Sequence, residues 1–92
     1  MLTARSIRIT GHVQGVFFRE WTVTVAKRIG VTGWVRNRND GGVEIYAAGE
    51  PDDLDEFVTE LRGGSPASRV DGIRITPADL EPISGFVRRS TL

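Results

Sequence analysis

The chain has no cysteine, a single histidine (His12), no surplus of either charge and no long apolar stretch. Each absence removes a class of function. Without cysteine there is no disulfide, thiolate nucleophile, iron–sulfur cluster or Cys-ligated zinc, and one histidine cannot assemble an imidazole cluster for a metal. Metal-dependent chemistry is therefore not expected, and no cofactor is expected either. The longest unbroken apolar run, Ile45 to Ala48, is four residues, against the roughly 20 that a membrane-spanning helix needs. The N-terminus has no charged-then-apolar leader pattern, so a soluble cytoplasmic protein that engages no membrane is expected. With 92 residues the chain sits at the small end of the domain range, which predicts one domain over residues 1–92 of modest stability.

Twelve basic and twelve acidic side chains cancel in total but not along the chain. Residues 1–43 hold seven cations (Arg5, Arg8, Arg19, Lys27, Arg28, Arg36 and Arg38) against Glu20 and Asp40, and residues 44–92 are acidic to the same degree. An arginine-rich half can serve an anionic ligand, although most such arginines fit equally well as solvated faces of strands and helices. Arg36 and Arg38 are open between steering a substrate and facing water. Only Arg19 sits in a context that points to more.

Alternation of Ile7 and Ile9 with Ser6, Arg8 and Thr10 predicts a strand over 4–10, stopped by Gly11. On a helical wheel Phe18, Trp21, Val25 and Ile29 form an apolar stripe, which predicts a helix over 18–29 ended by Gly30. That helix forms against the strand preference of the β-branched run Thr22 to Val25. Period-two patterning returns from Val31. Val31, Gly33, Val35 and Asn37 face one way, and Thr32, Trp34, Arg36 and Arg38 the other. The turn-forming Asn39-Asp40-Gly41-Gly42 then leads into Val43, Ile45 and Ala47, a hairpin over 31–48. Pro51 followed by acidic residues opens a second helix whose buried face is Leu54, Phe57, Val58 and Leu61, closed by Gly63-Gly64. Val70, Ile73 and Ile75 predict a strand over 68–76, and a short one follows at 85–90. No repeat, linker or low-complexity stretch interrupts the chain. The order βαββαβ plus a terminal strand predicts a ferredoxin-like α+β sandwich, an antiparallel sheet with two helices on one face. That fold hosts many unrelated functions.

Gly11-His12-Val13-Gln14-Gly15-Val16-Phe17-Phe18-Arg19 links the first strand to the first helix. Two glycines four residues apart let the loop curl so that successive N–H groups converge, and the following helix aims its free N-terminal amides at the same point. Such a cradle, from about His12 through Val13, Gln14, Gly15, Val16 and Phe17, suits an oxyanion of phosphate size. It is not a Walker A loop, since no Lys-Ser or Lys-Thr follows. Arg19, in the first helical turn, can fold its planar five-donor head over the cradle. On the residues alone a turn with a solvated arginine is as good a description.

The same nine residues resemble the signature of the acylphosphatase family. The family's second signature is matched by Gly33-Trp34-Val35-Arg36-Asn37, three residues, Gly41-Gly42-Val43, five residues and Gly49. Gly64-Ser65-Pro66-Ala67-Ser68-Arg69-Val70 and Phe86-Val87-Arg88-Arg89 resemble its last turn and strand, so the likeness spans the chain. The absence of cysteine fits the free-standing form rather than the acylphosphatase-like domain of larger maturation proteins, which precedes zinc-binding cysteine motifs. The resemblance implies metal-free hydrolysis of an acyl phosphate, a carboxylic–phosphoric anhydride, to carboxylate and inorganic phosphate. By position it makes Arg19 the phosphate-binding arginine and Asn37 the residue that orients the attacking water. The expected unit is a monomer acting on a small-molecule substrate, without nucleic acid.

Asn37 shares a side with Val35 at the end of the strand beside the loop, although an Asn near a hairpin turn often serves only the backbone. His12 reads as an ordinary loop residue, Phe18 as core and Phe17 as the pocket's rim. Trp34 and Tyr46 read as shielding the open side of the sheet. The alternative is a non-catalytic module of the same fold, either regulatory or binding single-stranded RNA through Arg8, Trp34, Arg36 and Tyr46 on the sheet face. A pI near 6.6 disfavours the RNA reading.

Overall fold

Ile7 and Ile9 are fully buried while Ser6 and Arg8, which alternate with them, are not, and the strand they predict forms. In the computed structural model, which describes residues 1–91, β1 spans Thr3–His12 and is followed by α1 (Phe18–Ile29), β2 (Thr32–Asn37) and β3 (Val43–Gly49). Then come α2 (Pro51–Gly63), β4 (Arg69–Ala78) and β5 (Phe86–Arg88). β1 lies antiparallel between β3 and β4, and β3 lies antiparallel to β2, giving the sheet order β4-β1-β3-β2-β5. This is the expected ferredoxin-like order. The terminal strand differs in direction: β5 joins the β2 edge in parallel, so the five-stranded sheet is mixed rather than wholly antiparallel. The chain leaves β4 at one edge, crosses the open face and reaches the opposite edge running the same way as β2.

Gly11 does not stop β1. The pairing with β4 shifts register between Thr10 and Gly11, a bulge, and then continues to His12. Gly11 has φ +129°, and a Cβ there would stand 2.1 Å from the Arg69 carbonyl oxygen. Only glycine fits both demands. The bulge re-aims the chain as it enters the loop before α1.

Both helices pack on one face, where Ile7, Ile9, Val35, Val43, Ile45 and Ala47 of the sheet meet Phe18, Val25 and Ala26 of α1 and Leu54, Phe57, Val58 and Leu61 of α2. α2 buries the four residues its spacing predicts. α1 is rotated slightly from the stripe read on the wheel: Thr22 and Ala26 are buried with Phe18 and Val25, while Trp21 and Ile29 are only partly covered. Thr22 is accommodated because its hydroxyl donates to the Phe18 carbonyl at 2.9 Å, which satisfies a polar group that would be costly to bury bare. On the opposite face Trp34 and Tyr46 stack at 6.3 Å between centroids beneath Ala78 and Ile83. Tyr46 Oη donates to the Asp79 carbonyl at 3.0 Å and accepts from the Glu81 N–H at 2.7 Å. This pins the β4–β5 connection across the sheet. Among the described residues no helix is long and apolar enough to cross a membrane.

Candidate active site

Between β1 and α1 the chain stays outside regular structure for residues 13–17. Val13 is buried and Val16 packs against the core, so two side chains anchor the loop while its backbone lies at the surface. Gly15 takes φ +74° with open space around it. Phe17 follows at φ 60°, ψ 27°, and this left-handed step turns the chain into the helix. No acceptor within the protein, among the described residues, takes the N–H groups of residues 13–17. The N-cap supplies no side-chain acceptor either, so the first-turn amides of α1 are equally free. A row of unpaired donors at the positive end of a helix favours an oxyanion.

Arg19 and Asn37 both face this loop. They line one cleft of about 310 Å³ together with Val13, Gly15, Phe17, Phe18, Glu20 and Arg88. One Nη of Arg19 donates to the Arg89 carbonyl at 3.1 Å, which braces the guanidinium against the end of β5 and leaves its other N–H groups for a ligand. Asn37 is the last residue of β2, in register with Val43, on the helix-facing side as the alternation predicts. The sequence-predicted pair is thus brought together from positions eighteen residues apart.

The other predicted loop residues divide. His12 is the last residue of β1, exposed, opposite Arg69 and outside the cleft. Arg69 in turn pairs with Asp71, and the hydrogen bond from Arg69 holds that exposed carboxyl below its usual range. Gln14 contributes its side chain elsewhere: Nε2 donates to the carbonyls of Arg38 at 2.7 Å and Gly42 at 2.8 Å. This ties the loop to the β2–β3 turn and so fixes Asn37 beside the cradle, a role that the residue pattern does not disclose. Glu20 and Arg88 were also missed. Arg88 Nη1 stands 2.7 Å from Glu20 Oε1 and joins β5 to α1 at the cleft, across 68 residues of sequence.

Arg36 and Arg38 turn away from the cleft and share Glu44, at 3.1 and 2.9 Å. Trp34 and Tyr46, the stacking platform of the RNA reading, are 8 % and 3 % exposed beneath the crossing segment and offer no open ring face.

Comparison with known proteins gives one answer. The family model described as Acylphosphatase matches residues 5–88. An acylphosphatase of Rhizorhabdus wittichii is 48 % identical over 89 residues, covering 97 % of this chain and 90 % of that one. The crystal structure of acylphosphatase from Bacillus subtilis superposes with a TM-score of 0.90 at 41 % identity, covering 97 % of this chain and 99 % of that one. An acylphosphatase structure from Coxiella burnetii gives a TM-score of 0.92 at 35 % identity over 96 % of this chain and 93 % of that one. A mixed sheet of this order, a donor-lined loop before the first helix, and two matching signatures agree with these likenesses: the chain belongs to the acylphosphatase family.

Proposed function

We propose that the cleft carries out the family's reaction, hydrolysis of small acyl phosphates, with Arg19 and the amides of residues 13–17 holding the phosphoryl group and Asn37 orienting water. The observation that carries this reading is convergence: unpaired backbone donors, a braced guanidinium and a side-chain amide share one cleft. A mixed anhydride already has a good leaving group. The protein therefore needs to gather charge on the phosphoryl oxygens and align a nucleophile rather than supply a strong base. Preorganised donors serve the transition state well because they need not reorient as charge develops. Water hydrogen-bonded to Asn37 attacks phosphorus in line. The new P–O bond forms as the bond to the acyl oxygen breaks, the carboxylate leaves, and the water proton passes to a phosphoryl oxygen to give inorganic phosphate. In this reading the working unit is a monomer, and the step as written draws only on this chain's own groups and water, with no metal, nucleic acid or membrane.

The test is benzoyl phosphate hydrolysis in EDTA by the wild type, Arg19→Gln and Asn37→Ala, with inorganic phosphate as competitor. Rapid turnover is expected for the wild type. Arg19→Gln should weaken substrate and phosphate together, because ground and transition states lose the same partner. Asn37→Ala should lose on the order of 10²–10³ in kcat, as when one preorganised donor is removed, with phosphate affinity nearly unchanged. Folded wild type that binds phosphate without turnover would overturn the reading, and full kcat in Asn37→Ala would remove that residue's role.

A further inference from the structure

The chain has four phenylalanines, and three are where their chemistry sends them: Phe18, Phe57 and Phe86 are 1 %, 0 % and 2 % exposed. Phe17 is 82 % exposed. It is also the sole non-glycine residue at positive φ among the described residues, and it occupies the N-cap of α1 without offering a side-chain acceptor. A phenylalanine here runs against three preferences at once: its ring stands in water, its Cβ occupies the left-handed region, and its side chain cannot cap the helix. Asparagine would relieve all three, and glycine the first two. Local violations of this kind concentrate where a site uses the residue.

Position in the cleft says what the use is. Val13 and Phe18 are the buried lining residues and form its floor, and Phe17 is its exposed aromatic rim. With the phosphoryl group on the loop amides and water at Asn37, in-line geometry puts the leaving acyl group opposite the water, and since Val13 and Phe18 close the floor, an acyl group larger than the cradle extends to the open side, where Phe17 stands. The two other lining residues outside the phosphoryl machinery, Glu20 and Arg88, neutralise each other at 2.7 Å. The mouth therefore presents an acyl tail with one apolar surface and no net charge. We propose that the Phe17 ring is the acyl-end subsite, packing against the acyl group and making aryl and other bulky apolar acyl phosphates the preferred substrates. The inference rests on the proposed hydrolysis and adds the part of the substrate that the phosphoryl cradle leaves unspecified.

The experiment compares kcat/KM for benzoyl phosphate and acetyl phosphate in the wild type, Phe17→Ala and Phe17→Tyr. The readout is the ratio of the two substrates, in which any damage to the loop common to both cancels. Phe17→Ala should lower the benzoyl-to-acetyl ratio about tenfold, the scale of an aromatic contact in a partly open site, and Phe17→Tyr should keep it. A second measurement needs no turnover: calorimetric Kd values for phenacylphosphonate and acetonylphosphonate, stable analogues with a methylene for the bridging oxygen. Wild type should favour the phenacyl compound about tenfold, and Phe17→Ala should bind the two alike. An unchanged ratio in Phe17→Ala by either measurement overturns the subsite while leaving hydrolysis standing. Wild type that hydrolyses neither substrate while folded overturns both readings.

Discussion

At the residue scale, the arrangement depends on side chains that never touch the substrate in the proposed mechanism. Gln14 is the clearest. Its two hydrogen bonds reach carbonyls that already accept from within the turn, Arg38 from Gly41 and Gly42 from Arg38. Removing it therefore leaves no carbonyl wholly unpaired, and Gln14→Met should cost only about 1–2 kcal/mol in urea unfolding. Its effect on turnover should be larger than that loss suggests. The cradle and Asn37 are on separate elements, and small misplacement of a nucleophile-orienting group is expensive. A fall in kcat of about tenfold is expected, and Gln14→Met with wild-type kcat would show that the turn holds Asn37 without the tie. Arg19 and Asn37, which line one cleft, could be singled out in the sequence because each sits in a signature with its neighbours. The tie from Gln14, the Glu20–Arg88 pair and the Arg89 carbonyl beneath Arg19 were not. They join residues 24 to 70 apart in the chain, and no local pattern records which distant partner a side chain meets.

At the scale of elements, periodicity identified both helices and the first four strands, and the departures occur where backbone geometry overrides it. The residues of α1 illustrate the limit. The wheel gave weight to large apolar side chains, so it could not register that Thr22, satisfied by the Phe18 carbonyl, and the small Ala26 would turn inward. Gly11 illustrates another. A glycine after an alternating run reads as a stop, and only the partner strand reveals a bulge that carries β1 two residues further into the loop. Gly11→Ala tests that geometry. The added methyl meets backbone, the Arg69 carbonyl oxygen at 2.1 Å and the Asp71 nitrogen at 2.8 Å, at a φ of +129°. No flexible side chain is there to yield. Destabilisation of about 3 kcal/mol or more is expected, read as a lower urea midpoint, together with weaker phosphate binding because the bulge aims the loop. A variant as stable as the wild type would mean that β1 and β4 can slip at this point without consequence.

At the scale of the whole molecule, the charge imbalance between the halves of the chain is resolved by folding. Arg5 pairs with Asp55, Arg28 with Glu56 and Glu60, and Arg8, Arg36 and Arg38 all with Glu44. The other arginines of residues 1–43 thus meet carboxylates of residues 44–92, while Arg19 contacts the Arg89 carbonyl just past β5 and no carboxylate among the described residues. The excess was visible in sequence and its cancellation was not, because strand order decides which charges face each other. Glu44 is the hub: on β3, it lies in register with Arg8 of β1 and Arg36 of β2, and its side chain is 15 % exposed. Glu44→Gln keeps the shape and removes the charge, leaving three cations gathered around a neutral amide. Charged hydrogen bonds of this partly covered kind suggest a loss of about 2 kcal/mol after allowing for solvent screening, or a Tm lower by about 10 °C. Salt should separate this from a packing effect. The Debye length falls from about 10 Å at 0.1 M to about 3 Å at 1 M, so repulsion among the arginines fades and the Tm gap between variant and wild type narrows as salt rises. The exposed Arg28 pairs offer the contrast, since Arg28→Ala should cost less than about 1 kcal/mol. A Glu44→Gln protein whose Tm gap holds constant from 0.05 to about 1 M salt would mean that shape, not charge, fixes Glu44 at the centre of the sheet.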